Sequence, residues 1–236
     1  MSTSHSLDIL TRLDTVVPPD LAALAEKWTA ARVPAPARPS ASVILCRDAD
    51  TDSAGEPSKN GLEVFLLHRH ARMAFAASAA VFPGGGMEAV DRATGDPRLA
   101  CAIRETREET GIQLAEQALA PWAHWITPEV PPIRYDTYFY FAALPAGQVA
   151  ADTSSETEGA EWTRPAAAID AWRAGSLMLL PPTLSILLEL ADLPSVASAI
   201  DLARDRLIEP VLPGIVRGSG GWVFSYPKRS HGDAGD

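Results

Sequence analysis

The sequence predicts an α+β fold, and three features carry that expectation. Apolar runs at 41–46 and 62–68 have strand length and are parted by residues 48–61, a stretch dense in Asp, Ser, Gly and Pro. Residues 97–110 carry helix punctuation at both ends: Asp96 suits an N-cap, Pro97 the first helical position and Gly111 the residue just past the end. The C-terminal third offers two more helical stretches before a last short strand.

In chain order, residues 18–31 place Leu21, Leu24, Ala25 and Trp28 at helical spacing behind Pro18, Pro19 and Asp20, which predicts a short amphipathic helix. Residues 33–40 are too proline-rich for a helix or a central strand and read as a semi-rigid connector. The expected organisation is therefore an N-terminal helical arm and connector over 1–37, a main domain over 38–227 whose last part (176–227) is helical, and a flexible tail over 228–236. A short strand at 79–82 runs into Pro83-Gly84-Gly85-Gly86, where the chain can take backbone angles only glycine tolerates. Further strands are expected at 122–126, 137–142 and 160–163, a helix at 165–174, helices at 182–193 and 195–207, and a strand at 222–226.

Twenty Lys and Arg face thirty Asp and Glu, a formal charge of −10, which argues against a sequence-independent grip on nucleic acid phosphates. Hydrophobic residues at 47% and charged residues at 21% fit a globular chain rather than a disordered one. The two cysteines, Cys46 and Cys101, form no CxxC pair, so neither a disulfide framework nor a structural zinc site is legible. No secretory signal and no apolar run of membrane-spanning length stands in the text, and the expected location is cytoplasmic. G-x-S-x-G, Walker and GxGxxG patterns are absent.

The chemistry concentrates on the helix at 97–110. At about 100° per residue, Leu99, Ala102, Ile103, Thr106 and Thr110 form one stripe, while Glu105, Glu108 and Glu109 share another face. A solvated acidic face is the plain alternative, with Arg104 and Glu108 as an i,i+4 pair. Against it, Glu105 and Glu109 are like charges at i,i+4, a repulsion that a divalent cation would reverse. Magnesium takes oxygen ligands and completes its shell with water and phosphate, so acids beside a glycine turn suit it.

Phe82-Pro83-Gly84-Gly85, then Asp91, then Arg104-Glu105-Thr106-Arg107-Glu108-Glu109-Thr110-Gly111-Ile112 resembles the Nudix hydrolase box, G-x5-E-x7-R-E-U-x-E-E-x-G-U with U aliphatic. Three departures stand out: Thr106 replaces the aliphatic residue, Asp91 stands where the family has glutamate, and the next gap is twelve residues instead of seven. The extra residues fall in turn-like text at 92–98. The resemblance implies an α/β/α sandwich with a mixed β-sheet, to which the N-terminal and C-terminal helices are additions. It implies magnesium or manganese held by Glu108, Glu109 and the Gly85 carbonyl, with Glu105 as ligand or base and Arg104 orienting an acid. The enlarged gap leaves open whether Asp91 joins that set. A further acid from a distant loop is implied at Glu156, with Glu158 second.

Weaker signals surround this core. His68 and His70 fall on one side of a strand, which suits a zinc pair, though with no third ligand nearby the favoured reading is Arg69 or His70 as a contact for substrate phosphate. Arg134 and Tyr138 are candidate substrate contacts, Tyr135 or Tyr138 by stacking on a base; residues 134–141 otherwise read as a core strand with Tyr138 and Tyr140 on one side, Phe139 and Phe141 on the other.

Residues 65–69, 74–75, 81–91, 134–137 and 179–184 look like the enlarged-box branch of the family that includes a peroxisomal coenzyme A diphosphatase. The implied activity is hydrolysis of a diphosphate joining a nucleoside to another moiety, with coenzyme A or an acyl derivative leading and ADP-ribose or NADH as alternatives. A Nudix fold serving as a nucleotide-binding module without turnover is a second class. The helices at 18–31 and 182–207 are either core or a homodimer surface.

Overall fold

The structure is a computed structural model that describes residues 3–13, 15–29, 31–49, 61–70, 78–93, 95–154 and 157–227. Its centre is a long apolar strand, β1 (Arg38–Asp48), with seven consecutive buried residues. Such a run, buried on alternate sides, needs a layer on each face of the sheet. Along one edge β1 pairs in parallel with β6 (Tyr135–Ala143), and β6 pairs antiparallel with β5 (Ala120–Ile126). Along the other edge β1 is shared: Cys46–Asp48 pair with β2 (Leu62–Arg69), and Ser40–Ser42 pair with β4 (Gly84–Gly86). Strand β2 in turn pairs with β3 (Ala79–Val81) and β7 (Thr157–Thr163). The two-residue strands β8 (Met178–Leu179) and β9 (Pro210–Val211) close the ends of a mixed nine-stranded sheet.

Alternation along the strands separates two apolar cores. Ala41, Val43 and Leu45 of β1, Phe65 and Leu67 of β2, and Tyr140 and Ala142 of β6 pack with Cys101 and Ala102 of α3 (Pro97–Thr110). Ile44, Cys46, Val64, Leu66, Phe139 and Phe141 face the opposite way. They pack on α4 (Pro165–Arg173), α5 (Pro181–Leu190) and α6 (Val196–Arg204). The result is the α/β/α layering that the resemblance implied. Among the described residues no helix is long and apolar enough to cross a membrane.

The expected elements from 41 to 207 are present with ends shifted by a few residues, and the helix expected at 18–31 is shorter, as α2 (Pro19–Glu26). Five elements were not foreseen. A helix α1 (Thr3–Arg12) buries Leu7 and Leu10, and three glycines form a strand of their own as β4. The strand expected at 222–226 is present as β11 (Gly221–Ser225), but its partner β10 (Gly214–Gly218), which makes a separate hairpin with it, and the sheet-closing β8 and β9 were not expected. Helix α5 is buried almost all round, so the apolar text at 184–190 belongs to the core and offers no surface for a second copy. The tail expected to be flexible, 228–236, lies outside the described residues.

One polar network ties the ends of the chain into this core. Glu189 of α5 is 1% exposed and accepts from Ser6 of α1 at 2.7 Å and from Trp122 Nε1 of β5 at 3.0 Å. Arg206 pairs with the same carboxylate and lies over the Trp122 ring. Burial pushes the Glu189 carboxyl above its ordinary value, with Arg206 acting against that push. Breaking a buried pair strands a charge, so Arg206→Leu is expected to cost about 3 kcal/mol near neutral pH. A carboxyl with a raised folded value destabilises the fold as pH rises through it, so the deficit of Arg206→Leu should shrink at acid pH. Urea unfolding at pH 5 and pH 8 checks this; an equal deficit at both would remove the charge-burial account.

Candidate active site

The site begins where β3 ends. Val43 N–H donates to the Pro83 carbonyl at 2.8 Å, and Ser42 Oγ donates to the same oxygen at 2.8 Å, so the turn is stitched to β1. Gly84 lies against β1 so closely that a Cβ there would sit 2.4 Å from the Ala41 carbonyl oxygen. Only glycine permits that approach. At Gly85 a Cβ would meet the Glu105 carboxylate, 2.4 Å from Oε1, so the missing side chain makes room for an acid of α3.

Helix α3 takes its place from local signals. Asp96 caps it by accepting from Arg98 N–H at 2.8 Å, and Gly111 ends it in the left-handed region at φ 75°. Cys101, Ala102, Thr106 and Thr110 are buried against the sheet, while Ile103 is only partly covered. Thr106 fits the aliphatic position because its hydroxyl donates back to the Ala102 carbonyl at 2.7 Å, leaving only the methyl to pack. The carboxylates of Glu105, Glu108 and Glu109 stand along the floor of one cleft.

Arg104 is the hub of this floor. Its Nε and Nη2 each donate to one oxygen of Asp91 at 2.9 Å, a bidentate pair. Nη1 donates to Glu105 at 2.9 Å and to Glu108 at 3.0 Å, and Nη2 also reaches the Gly86 carbonyl at 3.1 Å. Asp91 sits on a 3-10 turn (Val90–Arg92), is 3% exposed and also accepts from Glu88 N–H at 2.7 Å. The hydrogen bond from Arg104 holds the Asp91 carboxyl below its ordinary value, and Asp91 in return raises Arg104. Asp91 thus locks Arg104 from beneath rather than lining the cleft.

Glu109 is oriented separately, its Oε2 accepting from Gly84 N–H at 2.8 Å. Burial raises the Glu105 carboxyl, with the Arg104 charge opposing. Burial likewise pushes the Cys101 thiol to about 12, beside the Gly85 carbonyl it faces at 3.5 Å. Among the described residues no three His, Cys, Asp or Glu side chains are gathered closely enough to hold a metal ion. The carboxylates turn instead to the donors present, Arg104 and Gly84. The donor set nevertheless fits a hard cation: acidic oxygens at helical spacing, one half-buried, beside a backbone carbonyl.

A cleft of about 1310 Å³ opens over this floor. Gly85, Glu105, Glu108, Glu109 and Arg69 line it, as do Thr153 and Ser154. Other expected contacts lie elsewhere. Arg134 is buried and donates to the carbonyls of Thr127, Pro128 and Ala35, so it braces the β5–β6 connection against the proline-rich connector instead of facing substrate. Tyr138 points to the α3 side, stacked on His124 at 4.0 Å with Arg98 over its ring at 4.1 Å; it is Tyr135, Thr137 and Phe139 that face the cleft. His68 and His70 each meet an acid of β7, Glu161 at 3.0 Å and Glu158 at 3.1 Å, which sets Glu158 outside the cleft lining. Glu156 lies outside the described residues. Lining residues that sequence reasoning missed include Arg38, Trp125 and Leu180; only the charge of Arg38 beside a strand was a signal.

Asp91→Asn keeps the shape but removes the charge facing Arg104, and should cost about 2 kcal/mol at pH 7. A depressed carboxyl contributes stability above its unfolded value and loses it as pH falls through the folded one, so the gap between wild type and variant should start to narrow below about pH 4 and close only below the depressed value of Asp91. Denaturant midpoints across pH test this, and a gap that persists in acid would contradict the lock.

Comparison with known proteins agrees with this fold. The NUDIX domain family matches residues 36–180. Among solved structures, a NUDIX hydrolase from Alicyclobacillus acidocaldarius is 20% identical with a TM-score of 0.61, covering 71% of this chain and 96% of its own. The NUDIX domain of NrtR from Shewanella oneidensis, solved with ADP ribose, is 13% identical with a TM-score of 0.49, over 77% of this chain and 97% of its own. No curated protein matches the chain. With the family's segment running from the start of β1 through the glycine turn and α3 to the start of α5, the chain belongs to the NUDIX family of hydrolases that act on pyrophosphate bonds.

Proposed function

We propose that this chain hydrolyses the diphosphate linkage of a nucleoside diphosphate joined to a second moiety, with coenzyme A or acyl-coenzyme A as the leading substrate and magnesium or manganese as cofactor. The observation that carries the reading is the convergence of Glu105 and Glu109 on Gly85 and Gly84 at the floor of the cleft. Glu108, Glu109 and the Gly85 carbonyl are the proposed cation ligands. A bound divalent cation supplies neutralisation of the diphosphate and acidifies water.

The remaining work falls to this chain's own groups. Glu105, raised by burial, is a stronger base than an ordinary glutamate and suits either acceptance of a proton from water or a ligand's place. Arg104 positions it: with one face held by Asp91, the guanidinium fixes Glu105 Oε1 at 2.9 Å. Arg69 is the proposed contact for phosphate oxygens, a reading supported by its position in the cleft lining. Glu156 remains the proposed further acid. The branch resemblance supports coenzyme A.

The test is a panel of coenzyme A, acetyl-coenzyme A, ADP-ribose, NADH and diadenosine polyphosphates with magnesium or manganese, products identified by mass. Coenzyme A should yield 4′-phosphopantetheine and 3′,5′-ADP, chelation should abolish turnover, and Glu109→Gln should lower kcat by about 100-fold. Cleavage of another member alone refutes the coenzyme A assignment. Binding without products under either metal establishes a nucleotide-binding module instead.

A further inference from the structure

A helix leaves its last carbonyls without partners of its own, and in α3 those carbonyls belong to the acid-bearing turn. The helix closes at Gly111, whose N–H returns to the Arg107 carbonyl at 2.9 Å. The next three carbonyls, on Glu108, Glu109 and Thr110, take their donors from a segment beyond β6. Thr153 Oγ1 donates to the Glu108 carbonyl at 2.7 Å, Thr153 N–H to the Glu109 carbonyl at 3.0 Å, and Ala151 N–H to the Thr110 carbonyl at 3.2 Å. One threonine therefore grips two consecutive carbonyls, those of Glu108 and Glu109.

The segment is fixed on both sides of that grip. Upstream, the Gln148 side chain accepts from the Gln113 N–H at 2.8 Å and donates to the Gln113 carbonyl at 3.0 Å. Downstream, Asp152 Oδ1 accepts from Ser154 N–H at 3.0 Å and from Thr157 Oγ1 at 2.7 Å, which turns the chain toward β7. Ala150 rests on the core under α3, but Ala151 and Thr153 are exposed, so past residue 150 hydrogen bonds rather than burial hold the segment against the helix. Thr153 and Ser154 then line the cleft together with Glu108 and Glu109. Glu108 gains most from such support: half of its side chain is exposed, and it leans on Arg104 Nη1 at 3.0 Å.

We propose that Thr153 is a positioning residue for the divalent cation: by pinning the backbone of Glu108 and Glu109 it sets where their carboxylates stand relative to the Gly85 carbonyl, and so how tightly the ion is held. Helix ends fray, and a frayed last turn would let two like charges drift apart before an ion arrives. The hydroxyl and amide of Thr153 close that route, and Gln148 and Asp152 keep Thr153 itself in place. The inference rests on the hydrolase reading above, in which Glu108, Glu109 and the Gly85 carbonyl are the ligands.

Manganese titrations of the full-length chain, followed by electron paramagnetic resonance with no substrate present, test this. Thr153→Val keeps the side chain's size and the N–H but removes the hydroxyl, and should weaken manganese about tenfold. Thr153→Ser keeps the donor and should stay within about twofold of wild type. Asp152→Ala loosens the turn without altering Thr153 or the floor, and should weaken manganese in the same direction. On coenzyme A at saturating manganese, Thr153→Val should lower kcat about tenfold with KM nearly constant, and Thr153→Ser should restore it; a role in the fold alone would move neither the manganese affinity nor kcat of a variant that unfolding shows to be native. Equal manganese affinity in wild type and Thr153→Val overturns the proposal, as does a loss that Thr153→Ser shares in full. A wild type that binds no manganese removes the cation reading of the floor and this role with it. If the wild type binds manganese but cuts no diphosphate, the hydrolase reading fails by itself, and the titrations still decide the role of Thr153.

Discussion

The bidentate pair between Arg104 and Asp91 is the constraint on which the site depends. Three acids within five residues of one helix repel one another, and a single guanidinium held from below answers two of them at once. Because Asp91 is buried and also takes the Glu88 amide, Arg104 has no freedom to swing away. The fixed cation then decides where Glu105 points, and the absent Cβ at Gly85 leaves the room it points into. A longer loop before α3 is compatible with this arrangement, since it moves the acid's tether without moving its partner.

The sheet supplies the second half of the geometry. Strand β1 is shared between β2 and β4 along one edge, so the glycine strand lies directly beside the apolar centre of the fold. Helix α3 packs on the same strand through Cys101 and Ala102. Turn and helix are therefore both referred to β1, and neither can shift without disturbing the core. On the opposite layer, Glu189 gathers α1, β5 and Arg206, so the terminal additions are anchored by charge as well as by apolar packing.

Local chemistry decided what could be read in advance. The helix at 97–110 was legible to the residue because its cap, its first proline and its terminal glycine all act within one turn. The long strands were legible from apolar runs. Strand β4 was not, since glycines carry no pattern and their pairing is imposed by β1. Helix α1 escapes the sequence reading because, among its described residues, Leu7 and Leu10 are the buried apolar side chains and the buried Ser6 beside them is polar. For residues 134–141 the alternation was read correctly, yet which face meets the cleft depends on the topology, and that sent Tyr138 to the wrong side. The role of Arg134 was similarly hidden, because its partners are backbone carbonyls of other segments. The Glu-rich face and the Gly85 turn were visible; the lock formed by Asp91 needed three dimensions.

The central claim is that the glycine turn and the α3 acids make one cation site. Manganese binding followed by electron paramagnetic resonance on wild type and Gly85→Ala tests it most directly, because an added methyl would push the Glu105 carboxylate aside while every charged residue stays in the sequence. The account predicts that wild type binds manganese and that Gly85→Ala, still folded by circular dichroism, binds it about tenfold or more weakly. Equal affinity in the two proteins would contradict it.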